Sequence, residues 1–163
     1  MLFRSVNGET VPTADARPGS YVAIARTWAP GDTVHLAFPM PVRQVECDPR
    51  VEANRGRLAL MRGPVVYCVE GTDHPDLHVF DLAVRRGDSY TATWQPELLG
   101  GVVVLSGTAY VAEHFYAGAE TTLYRVVGDG LHGPRTVPLT AVPFHAWANR
   151  EPGAMRVWLP GFG

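Results

Sequence analysis

The sequence predicts an all-β chain folded as an antiparallel β-sandwich of jelly-roll type. Many short runs alternate apolar and polar residues with the period of a half-buried strand, and no apolar 3.6-residue period is sustained over a dozen positions. Glycine and proline pairs punctuate these runs at short intervals, drawing on 17 Gly and 14 Pro in 163 residues. A chain of this length can remove roughly 70% of its unfolded surface from water, so it needs no staples to build a core.

Taken in order, residues 10–19 (TVPTADARPG) read as a loop entering the next strand. Residues 21–26 and 32–38 alternate, the latter with Val34, Leu36 and Phe38 on one face, and Pro30-Gly31-Asp32 supplies a hairpin turn between them. Strands follow at 42–46, 58–61 and 65–69. Gly63-Pro64 separates the last two, and 65–69 is apolar on both parities, as a central strand is. Further strands fall at 90–94, 102–112, 122–127 and 137–142. Gly107 marks a bend or a close backbone approach within the longest of them. Residues 149–153 form a turn and 155–159 a closing strand, with short helical turns at 49–54 and 97–99. No composition step marks a boundary, so 1–163 reads as one unit.

Composition excludes several kinds of chemistry. The 14 basic residues are all arginine and face 16 acids, for a net charge of −2. Without lysine there is no Schiff-base residue and no phosphate-loop lysine. The chain also lacks the basic surplus of a nucleic-acid binder or a polybasic membrane anchor. No apolar run has the length of a signal peptide or a membrane span, so the chain reads as soluble, and as cytoplasmic if Met1 is the natural start. Cys47 and Cys68 are too few for a disulfide scaffold or a four-thiolate zinc site.

Candidate reactive residues are few. Asp73, His74, Asp76 and His78 concentrate metal-ligating groups in one loop, but at a spacing that matches no metal motif and fits a solvated loop better. Glu113 and His114 would share acid/base work only where a strand ends, because neighbours on a strand face opposite ways. Cys68 sits in the apolar run VVYCV, which disfavours a thiolate. Trp94, Trp147 and Tyr116 are the candidate sugar-stacking rings, although a core claims most tryptophans in a chain of this size.

Three separated blocks carry a resemblance: YVAIARTWAPGDTVHLAFPMP (21–41), NRGRLALMRGPVVYCVEG (54–71) and LTAVPFHAWANREPGAMRVWLP (139–160). In this order they resemble the C-terminal β-sandwich region of glycoside hydrolase family 127, the β-L-arabinofuranosidase-type enzymes. The resemblance implies a larger enzyme, in which an (α/α)6 barrel carries a glutamate acid/base, a cysteine nucleophile and a zinc held by glutamate and cysteines. None of those motifs has a counterpart here, so no catalytic or metal residue carries over and zinc is expected only in the barrel.

The resemblance therefore implies an accessory, non-catalytic portion that works with a catalytic barrel in cis or in trans. The alternative is a stand-alone carbohydrate-binding module, using Trp94, Trp147 or Tyr116 on arabinose-containing glycans. Strands that precede Val6-Asn7-Gly8 in the family have no counterpart, so one sheet is expected to show an incomplete edge. A barrel or a second copy of the chain would cover it.

Overall fold

The computed structural model describes residues 3–12, 17, 19–111 and 135–163. Contacts divide the chain into two compact units, Met1–Met40 and Pro41–Gly163, a division that composition does not announce.

In the first unit, β1 (Phe3–Val6), β2 (Glu9–Thr10) and β3 (Val34–Ala37) form an antiparallel sheet in the order β2-β1-β3. Asn7 and Gly8 make the two-residue turn between β1 and β2 with φ of 52° and 85°, the positive values such a hairpin turn requires. The Asn7 side chain donates to Asp32 Oδ1 at 2.7 Å and accepts from the Thr33 N–H at 2.9 Å. Asp32 also accepts from the Ala29 N–H at 2.9 Å, and these bonds, Ala29 first and Asn7 second, hold its carboxyl below the usual range.

The turn expected at Pro30-Gly31-Asp32 forms, closed by the Asp32 N–H on the Ala29 carbonyl at 3.1 Å, with Gly31 at φ 94°. The strand expected at 21–26 does not. Residues 32–33 are tied to the β1 turn through Asn7, so β3 finds its ladder on β1, with Arg4 opposite Leu36 and Val6 opposite Val34. Thr10, read as the start of a loop, instead ends β2. Val34, Leu36 and Phe38 keep the shared face predicted for them but stand 44%, 48% and 64% exposed. Among the described residues no strand lies on the far side of β3.

The second unit contains β4 (Val42–Val45), β5 (Arg57–Arg62), β6 (Val65–Glu70), β7 (Leu82–Arg85), β8 (Thr91–Gln95), β9 (Val102–Val111), β10 (Arg135–Pro143), β11 (Met155–Arg156) and β12 (Leu159–Phe162). Pairing runs β6-β10-β9-β7-β12-β5, and β5 pairs back onto β6. The expected sandwich is thereby corrected to a closed ring of six strands, which has one parallel contact, β12 with β7. Alternation specifies an inner and an outer face in both architectures, so the pattern in the sequence suits either. Closure comes from strands that change partner along their length. β5 meets β12 at residues 57–58 and β4 at 59–62. β9 meets β8 up to Ser106 and β7 from Tyr110. Gly107 lies at that switch under the Tyr90 ring, which leaves no room for a Cβ.

Tyr67, Val69, Leu105, Ala109, Val137, Leu139 and Ala141, on alternate positions of β6, β9 and β10, point into the ring with Leu58, Leu60, Leu82, Val84 and Leu159. The opposite parity, with Cys68, Val102, Val104 and Val142, forms a second cluster with Ala146. β6 lies between β5 and β10 and is buried on both parities over its last four residues, the central strand its composition predicts. The closing strand expected at 155–159 is two strands, because β11 pairs with β6 while β12 crosses to β5 and β7. A single helical turn, at Glu52–Asn54, represents the first helical segment, and residues 97–99 are a turn with Leu99 at φ 52°. Of the expected strands, 122–127 lies outside the described residues. No helix among the described residues is long and apolar enough to cross a membrane.

Ring closure brings Gly161 against Leu58: a Cβ there would sit 2.8 Å from Leu58 Cγ, while the Gly161 N–H donates to the Gly56 carbonyl at 2.7 Å. Gly161→Ala is expected to lose about 1–3 kcal/mol through overpacking, measured by urea unfolding. A loss below about 0.5 kcal/mol would show that the closure adapts to the added methyl.

Candidate functional site

The polar centre of the second unit forms where β6 leaves the ring. Glu70 is the last residue of an otherwise apolar strand and is 4% exposed, so its charge needs a partner. Arg150 supplies it from the other end of the chain, with Nη2 on Glu70 Oε2 at 2.6 Å and both terminal nitrogens on the Asp73 carboxylate at 2.6 Å. The second Glu70 oxygen accepts from the Ala148 N–H at 3.1 Å and holds that residue at φ 61°. Asp73, and then Glu70, push the Arg150 guanidinium further up its already high range.

The same bonds decide the metal candidates. His74 is buried, with Nδ1 2.9 Å from the Glu70 carbonyl and Nε2 accepting from the Thr140 N–H at 3.3 Å. This fixes the tautomer with its proton on Nδ1. Asp73 gives both oxygens to Arg150, and His78 turns to the Phe80 N–H at 3.4 Å. The four residues do not converge, and no group of three or more metal-ligating side chains gathers among the described residues.

Of the aromatic candidates, Trp94 on β8 is 58% exposed and lies over Gly101, where a Cβ would come within 2.5 Å of the indole. Trp147 is 41% exposed and stacks on Phe144, with ring centroids 6.0 Å apart at 10°. The two rings sit on different elements, and Tyr116, Glu113 and His114 lie outside the described residues. Burial, with Glu70 adding to it, pushes the Cys68 thiol up to about 12, so it offers no thiolate near neutral pH.

Sequence reasoning missed Arg150 as the partner of Glu70 and Asp73. A usable signal was present, an acid closing an apolar strand, but nothing local identifies a partner 80 positions away.

A strand ring whose strongest polar cluster anchors a turn defines an all-β module built around structural ion pairs. The chain belongs to glycoside hydrolase family 127: the family's C-terminal domain matches residues 42–160, and the β-L-arabinofuranosidase GH127 middle domain matches 3–40. These spans meet at the boundary between the two units. A non-reducing end β-L-arabinofuranosidase of Bifidobacterium longum subsp. longum is 40% identical over 133 residues, which are 78% of this chain and 20% of that protein. The crystal structure of a GH127 β-L-arabinofuranosidase from Geobacillus stearothermophilus T6 superposes with a TM-score of 0.80 at 38% identity, over 99% of this chain and 25% of that one. A GH127 β-arabinofuranosidase gives 0.79 at 36% identity, over 99% and 23%. The chain thus spans about a quarter of the length of these solved relatives.

The zinc that family resemblance implies finds no ligand set among the described residues. Cys68 is buried and protonated.

Proposed function

We propose that this chain is the accessory, non-catalytic β-portion of a family 127-type β-L-arabinofuranosidase and supports or assembles with a catalytic barrel outside this sequence. The observation that carries the reading is the extent of the match, since the chain's two units correspond to middle and C-terminal domains that make up only 20% to 25% of the relatives.

The β3 edge supports it. Val34 and Leu36 on β3, and Phe38 just beyond it, are exposed apolar residues at a strand with no outer neighbour among the described residues, a state folded proteins normally cover. Beside Leu36 in the ladder, Arg4 is 4% exposed with Nε and one terminal nitrogen lacking acceptors. The missing cover is the barrel portion in cis or in trans, or a second copy of the chain.

The isolated chain, assayed on an aryl β-L-arabinofuranoside with and without zinc and thiol, is expected to give no turnover. Hydrolysis above background would overturn this reading. The exposed Trp94 favours a second reading, a stand-alone module for arabinose-containing glycans, which calorimetric titration of wild type against Trp94→Ala tests directly.

A further inference from the structure

β6 and β10 pair at Tyr67 with Pro143 and at Cys68 with Val142, and the same register carried on would set Glu70 opposite Thr140. Both strands reach those residues, yet their ladder stops at Cys68. The Gly71 N–H donates to the Ala154 carbonyl at 2.8 Å, just before β11, so the Glu70 carbonyl, on the other side of that peptide plane, points away from β11. The His74 ring stands between this carbonyl and β10. The Thr140 N–H donates to Nε2 at 3.3 Å, and Nδ1 lies 2.9 Å from the Glu70 carbonyl. The donor and acceptor that an antiparallel ladder would join directly are here joined through an imidazole.

Only a neutral ring with its proton on Nδ1 passes the bond along in this sense. A proton added at Nε2 would set one N–H against another and place a charge on a residue that is 5% exposed. Neither carboxylate of the adjoining cluster is left to receive that charge. Glu70 gives its oxygens to the Ala148 N–H and to Arg150, and Asp73 gives both of its own to Arg150. Two carboxylates and one guanidinium still leave a net negative charge that draws a proton towards the ring. Asp76 and His78 in the same loop, Asp81 beyond it and His145 after β10 are exposed. Arg156 of β11 is turned to the Trp158 and Phe80 carbonyls. At this level β10 and β9, at 138–142 and 104–108, hold no charged side chain, and Cys68 of β6 is a neutral thiol.

We propose that His74 is a proton-operated latch within the second unit: its neutral imidazole completes the β6–β10 ladder, and protonation of Nε2 releases residues 71–78 from β10. The proton comes from solvent and takes the lone pair on which Thr140 now donates. Histidine is the side chain whose charge changes between about pH 5 and 8. The released loop carries Asp73, so opening also loosens Arg150 and the turn at Ala148 that is tied to Glu70. The latch goes beyond the accessory role and shares none of its evidence. Turnover tests that role and leaves the latch untouched, so each can fail alone.

The test is NMR of the ¹⁵N-labelled full chain between about pH 8 and pH 5. At the upper end the His74 ring nitrogens are expected to show the proton on Nδ1. Towards the lower end, exchange protection of the Thr140 amide, corrected for intrinsic exchange at each pH, should fall by up to about tenfold per pH unit, the slope of one proton taken up on opening. The Ala141 amide, which faces β9 opposite Leu105, should keep its protection. His74→Gln supplies an amide donor and acceptor in place of the two ring nitrogens, gains no proton in this range, and should flatten the slope at Thr140. The proposal is overturned if the ring proton sits on Nε2 at the upper end, if Thr140 protection does not change with pH, if Ala141 loses protection in step with Thr140, or if His74→Gln keeps the slope. The first three readings need only the wild-type chain, so a glutamine variant that fails to fold leaves the test decisive.

Discussion

Replacing Arg150 by alanine is expected to cost the second unit about 3–5 kcal/mol, the usual consequence of removing one partner from a buried ion pair. Glu70 and Asp73 have side chains only 5% and 15% exposed, and both depend on this one cation. Without it, two carboxylates face each other away from water, and the turn that holds Ala148 at positive φ loses the neighbour that orients Glu70. Against a typical total stability of about 5–15 kcal/mol, such a loss is visible in a urea titration at 25 °C. Arg150→Lys should recover less than half, because an ammonium cannot span both Asp73 oxygens as the guanidinium does. Adding Glu70→Gln to Arg150→Ala should restore part of the loss by removing one stranded charge. If Arg150→Ala costs less than about 1 kcal/mol, the cluster is solvated in solution and does not hold the fold.

Leu159→Ala is expected to cost about 2–5 kcal/mol, the range for truncating a buried leucine. Leu159 is 1% exposed, lies opposite Leu58 in the ladder and packs in the main core with Leu82 and Val84. Among the described residues its strand alone directly links β5 and β7, antiparallel on one side and parallel on the other, so the cavity would open at the seam of the ring. Leu159→Met keeps most of the volume and should cost less than about 1.5 kcal/mol. Equal effects of the two substitutions in urea unfolding would show that packing at the seam does not set stability.

The second unit has its own closed core and a buried ion-pair cluster, whereas the first presents an apolar strand edge. On the accessory role proposed above, assembly acts on the Met1–Met40 unit, whose β3 strand is exposed and apolar, while the Pro41–Gly163 unit carries the closed core.

Much of this was legible in the residues. Period-2 alternation and Gly/Pro punctuation placed most strands of the second unit within a residue or two, and the Pro30-Gly31-Asp32 turn and the special position of Gly107 followed from glycine's conformational freedom and small size. The second and third of the blocks that resemble family 127 also lie close together in the fold: Glu70 of the second meets Arg150 of the third, and Gly71 donates to Ala154 at 2.8 Å.

The sequence by itself determined that the chain is all-β, which faces of its strands are apolar, and the family it belongs to. Tertiary structure alone decided which strand pairs with which, that six of them close into a ring, and that His74 and Asp73 serve the fold and not a metal. The physical reason is range. Alternation and turn chemistry act over two to four residues and set local direction and face. Ring closure, which pairs Leu159 with Leu58, and the Glu70–Arg150 pair join residues 80 positions apart or more, where only the summed packing of the whole domain chooses the partner.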